Sequence, residues 1–327
     1  LDGSRLDLFA DVERSVAAID DFAGPREADA YRRFAARSEA IFVTLDHTFM
    51  RREKPGPVSL GLSLGISGIP RLAATQPFVS LWRALGKSFR DPRLQQLFGR
   101  YATYCGSSPW AAPATLMLIA HAERAGVWSV AGGMPRLADA LVGLAERQGV
   151  ALRLGTGAAR IETDGGAVTA VLTDDGERLK ANDVVFNGEV AALGQGVLGP
   201  GVAGALPDRS AELRSLSAVT WSMVGRFNGF PLHHHTVLFG DNYDDEFRAI
   251  FDRGEITATP TIYLCAQDRE TGVEPTDSTE RVFLLVNAPP KVLSADALDA
   301  VEDRLYELLG RHGLELHVQA MQRTGPA

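Results

Sequence analysis

The chain has 327 residues, 45% hydrophobic and 23% charged, a balance that excludes a disordered protein and supplies enough apolar material for one or two cores. Its two cysteines, Cys105 and Cys265, lie far apart at no metal or redox spacing, which excludes a disulfide framework and predicts buried, reduced thiols. No run of about 18 apolar residues occurs, so no segment is predicted to span a bilayer.

The net charge of −8 is uneven. Residues 51–100 carry nine basic side chains against Glu53 and Asp91, a local +7 that leaves −15 elsewhere. Within that block, "FVSLWRALGKSFR" (78–90) sets Phe78, Leu81, Trp82, Leu85 and Phe89 on one helical face beside Arg83, Lys87 and Arg90. Such a stretch suits an anionic membrane surface, and it suits equally a core helix with a solvated basic rim. Nucleic acid is not an expected partner, because aromatic residues do not alternate with these charges.

In chain order, residues 1–126 read as helical. Over 24–49, Pro25 starts a helix with Phe34, Ile41, Leu45 and Phe49 at helical spacing. Over 91–104, Asp91 caps and Pro92 occupies the first helical position. A third helix covers 112–126, with His121 on its apolar side as a packed core histidine. Between them, 55–70 is apolar yet broken by glycine and proline, as in a pocket lining or a lid. After Gly126 the pattern predicts a strand at 127–130, a helix at 136–149 with Leu137, Leu141 and Leu144 inward, and a buried-type strand at 150–154. An antiparallel meander follows over 158–188 around the turns "DGG" and "DDG", closed by the apolar strand "DVVFNG". Further strands are predicted at 217–227, 260–267, 281–289 and 314–321, and helices at 244–251 and 294–313.

"GPGVAG" (199–204) spells G-x-G-x-x-G, but glycines interrupt any strand before it and Pro207 forbids a long helix after it. It is read as a flexible loop and not as a pyrophosphate cradle. The chain also opens on Leu1 and stops after a strand-like alternation, so a fragment lacking both termini is expected, with a trimmed form as the alternative.

The stretch "VWSVAGGMPRLADALVGLAERQGVALRLGTGAARIETDGGAVTAVLTDDGERLKANDVVFNG" (127–188) resembles the FAD-dependent carotenoid desaturases, the bacterial phytoene desaturase group of the amine-oxidase-like flavoproteins. "PLHHHTVLFGDNYDDEFRAIF" (231–251), "PTIYLCAQDR" (260–269) and "ERVFLLVNAPP" (280–290) resemble further segments of that group. The stretches "RYATYCGSSPWAAPATLMLIAHAERAGVW" (100–128) and "CAQDR" are most similar to its hydroxyneurosporene or methoxyneurosporene desaturase branch. The resemblance implies an interleaved α/β (α+β) flavoprotein whose dinucleotide-binding βαβ unit lies outside this chain. Residues 1–126 would form a helical region associated with substrate and membrane, 127–200 part of the FAD-binding domain, and 201–327 a substrate-domain sheet with helices. It implies FAD as cofactor, a lipophilic carotenoid as substrate, and C3–C4 desaturation of a 1-hydroxy or 1-methoxy carotenoid. The expected location is the cytoplasm, peripheral to the inner membrane. Phytoene desaturation, redox-neutral carotenoid isomerisation and lipid binding without redox chemistry are the alternatives.

Residue roles come from the same resemblance. Ala158 and Ile161 hold the positions whose backbone meets the adenine, or else belong to an ordinary strand. Gly132 and Gly133 approach the flavin ring or substrate tunnel, or make a plain turn. Asn187 and Gly188 end an apolar strand where such folds expose ligand-facing backbone, or simply terminate it. No catalytic base is identified. His233, His234 and His235 are not expected to bind metal, since consecutive extended residues point to opposite faces and no Glu or Cys stands at ligand spacing. One of them could touch substrate or act as acid or base, with a structural role as the alternative.

Overall fold

The structure, a computed structural model, describes residues 3–51, 53, 70–204, 214–269 and 279–326. The expectations for 55–69 and for the stretch around Pro207 fall outside those residues. The chain divides into two compact units: residues up to Val127 together with those from Ser215 on, and Trp128–Arg214.

The first unit begins with a helical layer. Helix α1 (Val12–Ala23) is capped by Asp11, whose carboxylate accepts from Arg14 N–H at 2.9 Å. Gly24, at φ +89°, ends α1 and opens α2 (Pro25–Leu45), where Pro25 occupies a position that needs no N–H donor. Helix α2 buries Tyr31, Phe34, Ile41 and Leu45. The predicted continuation to Phe49 instead becomes a π-helical turn (Asp46–Met50), which swings Phe49 to the surface.

Helices α3 (Leu81–Ser88), α4 (Pro92–Gly99) and α5 (Leu118–Arg124) pack beside α2. Ser80 and Asp91 cap α3 and α4. Their apolar faces close a ring cluster in which Phe34 and Phe98 lie 4.6 Å apart and Phe89 and Phe98 5.2 Å apart. Leu81, Leu85 and Phe89 are fully buried here, each worth about 1.5–3 kcal/mol of burial. Trp82 packs on Trp110, with centroids 4.7 Å apart. Of the five apolar residues assigned to a membrane-facing stripe, only Phe78, 99% exposed and ahead of the helix start, remains available. The core-helix reading describes the other four.

The same unit carries a five-stranded antiparallel sheet of β4 (Ser217–Asn228), β5 (His235–Leu238), β6 (Ile262–Ala266), β7 (Glu280–Ala288) and β8 (Glu315–Thr324), in the order β5-β6-β7-β4-β8. Strand β5, which holds the third histidine, was not predicted. Alternate residues Val219, Trp221, Met223, Leu264, Val282, Leu284 and Val286 face a helix, α10 (Ala295–Arg311), which presents Val301, Leu305, Leu308 and Leu309. The indole N–H of Trp221 donates to Glu302 at 3.0 Å, so the bulkiest side chain of the core keeps its polar atom paired. A short helix, α9 (Tyr243–Arg248), precedes β6 and brings Tyr243 to within 5.9 Å of the Trp82 ring.

One buried ion pair locks the β7 end of this sheet. Arg269 donates to Glu280 through two bonds of 2.8 and 2.6 Å, and two further N–H groups donate to Leu232 O and Phe227 O. With both side chains nearly sealed from solvent, removal of one partner strands a charge.

The second unit holds helix α6 (Pro135–Arg147), the three-stranded meander β1 (Ala158–Asp164), β2 (Ala167–Thr173) and β3 (Arg178–Lys180), and the short helices α7 (Val190–Gly194) and α8 (Pro200–Ala203). The meander follows the predicted turns. Gly199–Gly204, expected as a flexible loop, contains the four-residue helix α8, in which Gly201 lies so close to Thr163 of β1 that a Cβ would collide with it. Helix α7 and not a strand precedes it, so the dinucleotide geometry is missing. Four further expectations are corrected. Residues 127–130, 150–154 and 183–188 form no strand, and Leu137, Leu141 and Leu144 of α6 point outward instead of inward. Trp128 is 90% and Val185 93% exposed. An apolar segment becomes a strand only when a neighbour takes its backbone hydrogen bonds, and a helix stripe is buried only by a surface that receives it.

Replacing Glu280 with alanine is expected to lower the unfolding free energy of the intact protein by about 3–5 kcal/mol. The double change Arg269→Met with Glu280→Leu should recover most of that loss. Urea midpoints of the three proteins check it, and a double variant as unstable as the single one would contradict the buried-charge account.

Candidate functional site

Because α10 seals one side of the five-stranded sheet, the residues of opposite parity form its other face. The strand register sets them in two rows. Gln322, Ser222, Phe283, Cys265 and His235 form one, across β8, β4, β7, β6 and β5. Thr324, Thr220, Leu285, Tyr263 and Val237 form the next. Phe283, Leu285, Tyr263 and Cys265 are half-buried, whereas Ser222 and His235 are exposed. This is a surface with apolar centre and polar ends.

Helical residues bound the face. The guanidinium of Arg100 sits over the Tyr263 ring at 5.0 Å and near that of Tyr104 at 6.0 Å. Burial pushes the Tyr104 phenol up to about 12, aided by the Glu123 carboxylate that accepts its hydrogen bond at 2.8 Å. Beyond Leu285, Asn287 donates to Glu246 of α9 at 2.9 Å, and Thr261 donates to the same carboxyl through its hydroxyl at 2.6 Å. Burial raises the Glu246 pKa above its ordinary 4.5, against the pull of those donors.

The histidine triplet divides. His233 turns to Arg5, whose nitrogen lies 2.7 Å from its Nε2, and to Asp7. A bend at His234 breaks the alternation expected of consecutive residues, and the His234 and His235 rings meet edge-on at 4.5 Å. Cys265 stands opposite His235 in the β5–β6 ladder, with Sγ 3.8 Å from His234 Nε2. The three histidines do not converge, as expected, but His234 and His235 stand together with Cys265, with ligand atoms within 4.8 Å of one another. Cross-strand pairing supplied the cysteine, which local spacing cannot show. Neither cysteine is buried as expected: Cys105 is exposed and Cys265 half-buried. Tyr263, Cys265, Arg100 and Glu246 were all missed in sequence, although the alternation of Ile262, Leu264 and Ala266 with Tyr263 and Cys265 was there to be read.

The residues assigned to flavin lie in the second unit. Gly132 and Gly133 adopt φ of +81° and +85°, and Gly133 N–H donates to Val130 O at 2.8 Å, closing a turn that only glycine enters freely. Ala158 opens β1 and is exposed, whereas the amide of Ile161 is taken by Leu198 O at 2.9 Å. Asn187 is exposed, and a Cβ at Gly188 would strike the Phe186 ring. Arg83, Lys87 and Arg90 are exposed in the first unit.

The family model described as flavin containing amine oxidoreductase matches residues 69–249, more than half of the chain, and the chain belongs to that family. Within it, the chain is 43% identical over 316 residues to a hydroxyneurosporene desaturase of Rubrivivax gelatinosus, covering 95% of this chain and 60% of that protein. It is 44% identical to a hydroxyneurosporene desaturase of Cereibacter sphaeroides, covering 96% of this chain and 63% of the relative. A 1-hydroxycarotenoid 3,4-desaturase of a Flavobacterium is 31% identical over 218 residues, 65% of this chain and 44% of that one. The chain thus spans about three fifths of the length of the first two relatives. The family is flavin-containing, and the second unit leaves a left-handed glycine turn, the strand start at Ala158 and Asn187 exposed to a ligand. Among the described residues no helix is long and apolar enough to cross a membrane.

The raised Glu246 pKa has a sign that can be tested. The folded state holds this proton to higher pH than the unfolded chain, so its contribution to stability falls as pH rises from 4.5 toward the folded value. Glu246→Gln removes that dependence. The stability of the variant relative to wild type is expected to increase between acid and neutral pH, and a gap that stays constant with pH would contradict it.

Proposed function

We propose that this chain supplies the substrate face and part of the flavin domain of an FAD-dependent carotenoid desaturase. The proposed reaction introduces a C3–C4 double bond into a 1-hydroxy or 1-methoxy carotenoid. The observation that carries this reading is the likeness to two hydroxyneurosporene desaturases over 316 residues, at 43% and 44% identity. The sheet face supports it, with an apolar centre of Phe283 and Leu285 between polar edges.

Desaturation removes a hydride from one carbon and a proton from its neighbour, turning the bond between them from single to double. A bound flavin supplies the two-electron acceptor for the hydride. The chain's own part is positional. Phe283, Leu285 and Val237 offer van der Waals support to a polyene, and an apolar ligand laid there displaces water. The Thr220 and Ser222 hydroxyls and the His235 imidazole lie on the same face and add hydrogen-bonding groups at its two ends. In the second unit, the glycine turn at 132–133, Ala158, Asn187 and Gly188 contribute main chain to the FAD site. The outward stripe of α6 and the unpaired apolar segments beside it support a further part of the flavin domain covering them.

The intact protein, supplied with FAD and a 1-hydroxy carotenoid, is expected to yield a product lighter by two hydrogens, with phytoene left unchanged. A product of unchanged mass would indicate isomerisation, and conversion of phytoene alone would indicate the earlier desaturation. A protein that takes up no flavin would leave only lipid binding.

We also place the protein at the cytoplasmic face of the inner membrane. Exposed Phe78 and the exposed cations Arg83, Lys87 and Arg90 support this. Changing the three cations to glutamate is expected to reduce co-sedimentation of the intact protein with anionic liposomes at low salt by tenfold or more. Undiminished sedimentation would remove the membrane contact from the account.

A further inference from the structure

We propose that His234, His235 and Cys265 form a zinc(II) site at the β5 end of the open sheet face. One ligand atom from each residue lies within 4.8 Å of the others. Zinc bonds nitrogen at about 2.0–2.1 Å and sulfur at about 2.3 Å, so a tetrahedral ion holds the two ligand atoms about 3.6 Å apart. His234 Nε2 and Cys265 Sγ are 3.8 Å apart already. Little motion is needed to seat an ion between them.

The His234 tautomer is fixed for ligation. Its Nδ1 lies 3.1 Å from Arg269 O, a carbonyl that can only accept, so Nδ1 carries the proton and Nε2 presents its lone pair toward the sulfur. That carbonyl belongs to the residue whose side chain is clasped by Glu280. His235 is held in turn by Tyr263, whose hydroxyl lies 2.8 Å from Nδ1.

The charge around the site is mixed. Arg100 stands close enough to repel positive charge. Cys265 loses its proton on binding, which cancels one of the two charges that the ion brings. Two imidazoles and a thiolate select zinc over magnesium or calcium, and three protein ligands leave a fourth position for water. His235 and Cys265 are not sealed from solvent, so an ion can enter.

Cobalt(II) provides the probe. The intact protein, stripped with chelator and titrated with cobalt chloride, is expected to bind one equivalent. It should show tetrahedral ligand-field bands at wavelengths beyond flavin absorption and a sulfur-to-cobalt charge-transfer band, both abolished by one equivalent of zinc. Cys265→Ser should erase the charge-transfer band, Cys105→Ser should leave it, and His234→Ala with His235→Ala should weaken binding at least tenfold. X-ray absorption of the zinc-loaded wild-type protein should show one sulfur and two imidazoles. A band that survives Cys265→Ser, a zinc shell without sulfur, or no saturable cobalt binding would each overturn the site.

Discussion

The period-two alternation of β4, β6 and β7 decides which side chains form the core and which form the open face. One parity is packed under α10, where Trp221, Leu264, Leu284 and Val286 have no access to water. The other parity must then stand on the opposite face, and it brings Phe283, Leu285, Tyr263 and Cys265 into two adjoining rows. A shift of one residue in any strand would exchange the two sets and destroy both the core and the site. The tryptophan and its bond to Glu302, which fit only on the α10 side, hold that register.

Polar anchors convert this face into a defined site. Arg269 ties β7 to the ends of β4 and of the segment that leads into β5, and its carbonyl orients His234. Glu246, with Thr261 and Asn287, closes the opposite end. Each anchor is buried and hydrogen-bonded, so each positions a strand end at the risk of a large penalty if half of it is lost. The aromatic seam of Trp82, Trp110, Tyr243 and Phe247 joins the helical layer to α9 and so to this end of the sheet.

Much of the first unit was legible in its sequence. The cap Asp91, Pro25 and Pro92 at helix starts, and the alternation in β4 and β7 are local signals with local causes. What stayed hidden depends on partners distant in sequence. The bend at His234, the pairing of His235 with Cys265 and the burial of Leu81, Leu85 and Phe89 are settled by tertiary contacts. In the second unit the pattern of Leu137, Leu141 and Leu144 was correctly seen as an apolar stripe, yet its side chains are exposed, because periodicity names a face and not its cover. The flavin-related residues came from family likeness alone, and their backbone geometry, a glycine turn and a strand start, carries little residue-specific signal.

The sheet face opposite α10 is the proposed seat of the polyene. Photolysis of the intact flavin-loaded protein with a diazirine-bearing carotenoid analogue, followed by peptide mapping, tests it directly. Adducts are expected on Thr220 or Ser222, on Tyr263 or Cys265, and on Phe283 or Leu285, all competed away by unmodified substrate. Competed adducts confined to α10, to the helical layer or to the second unit would contradict it.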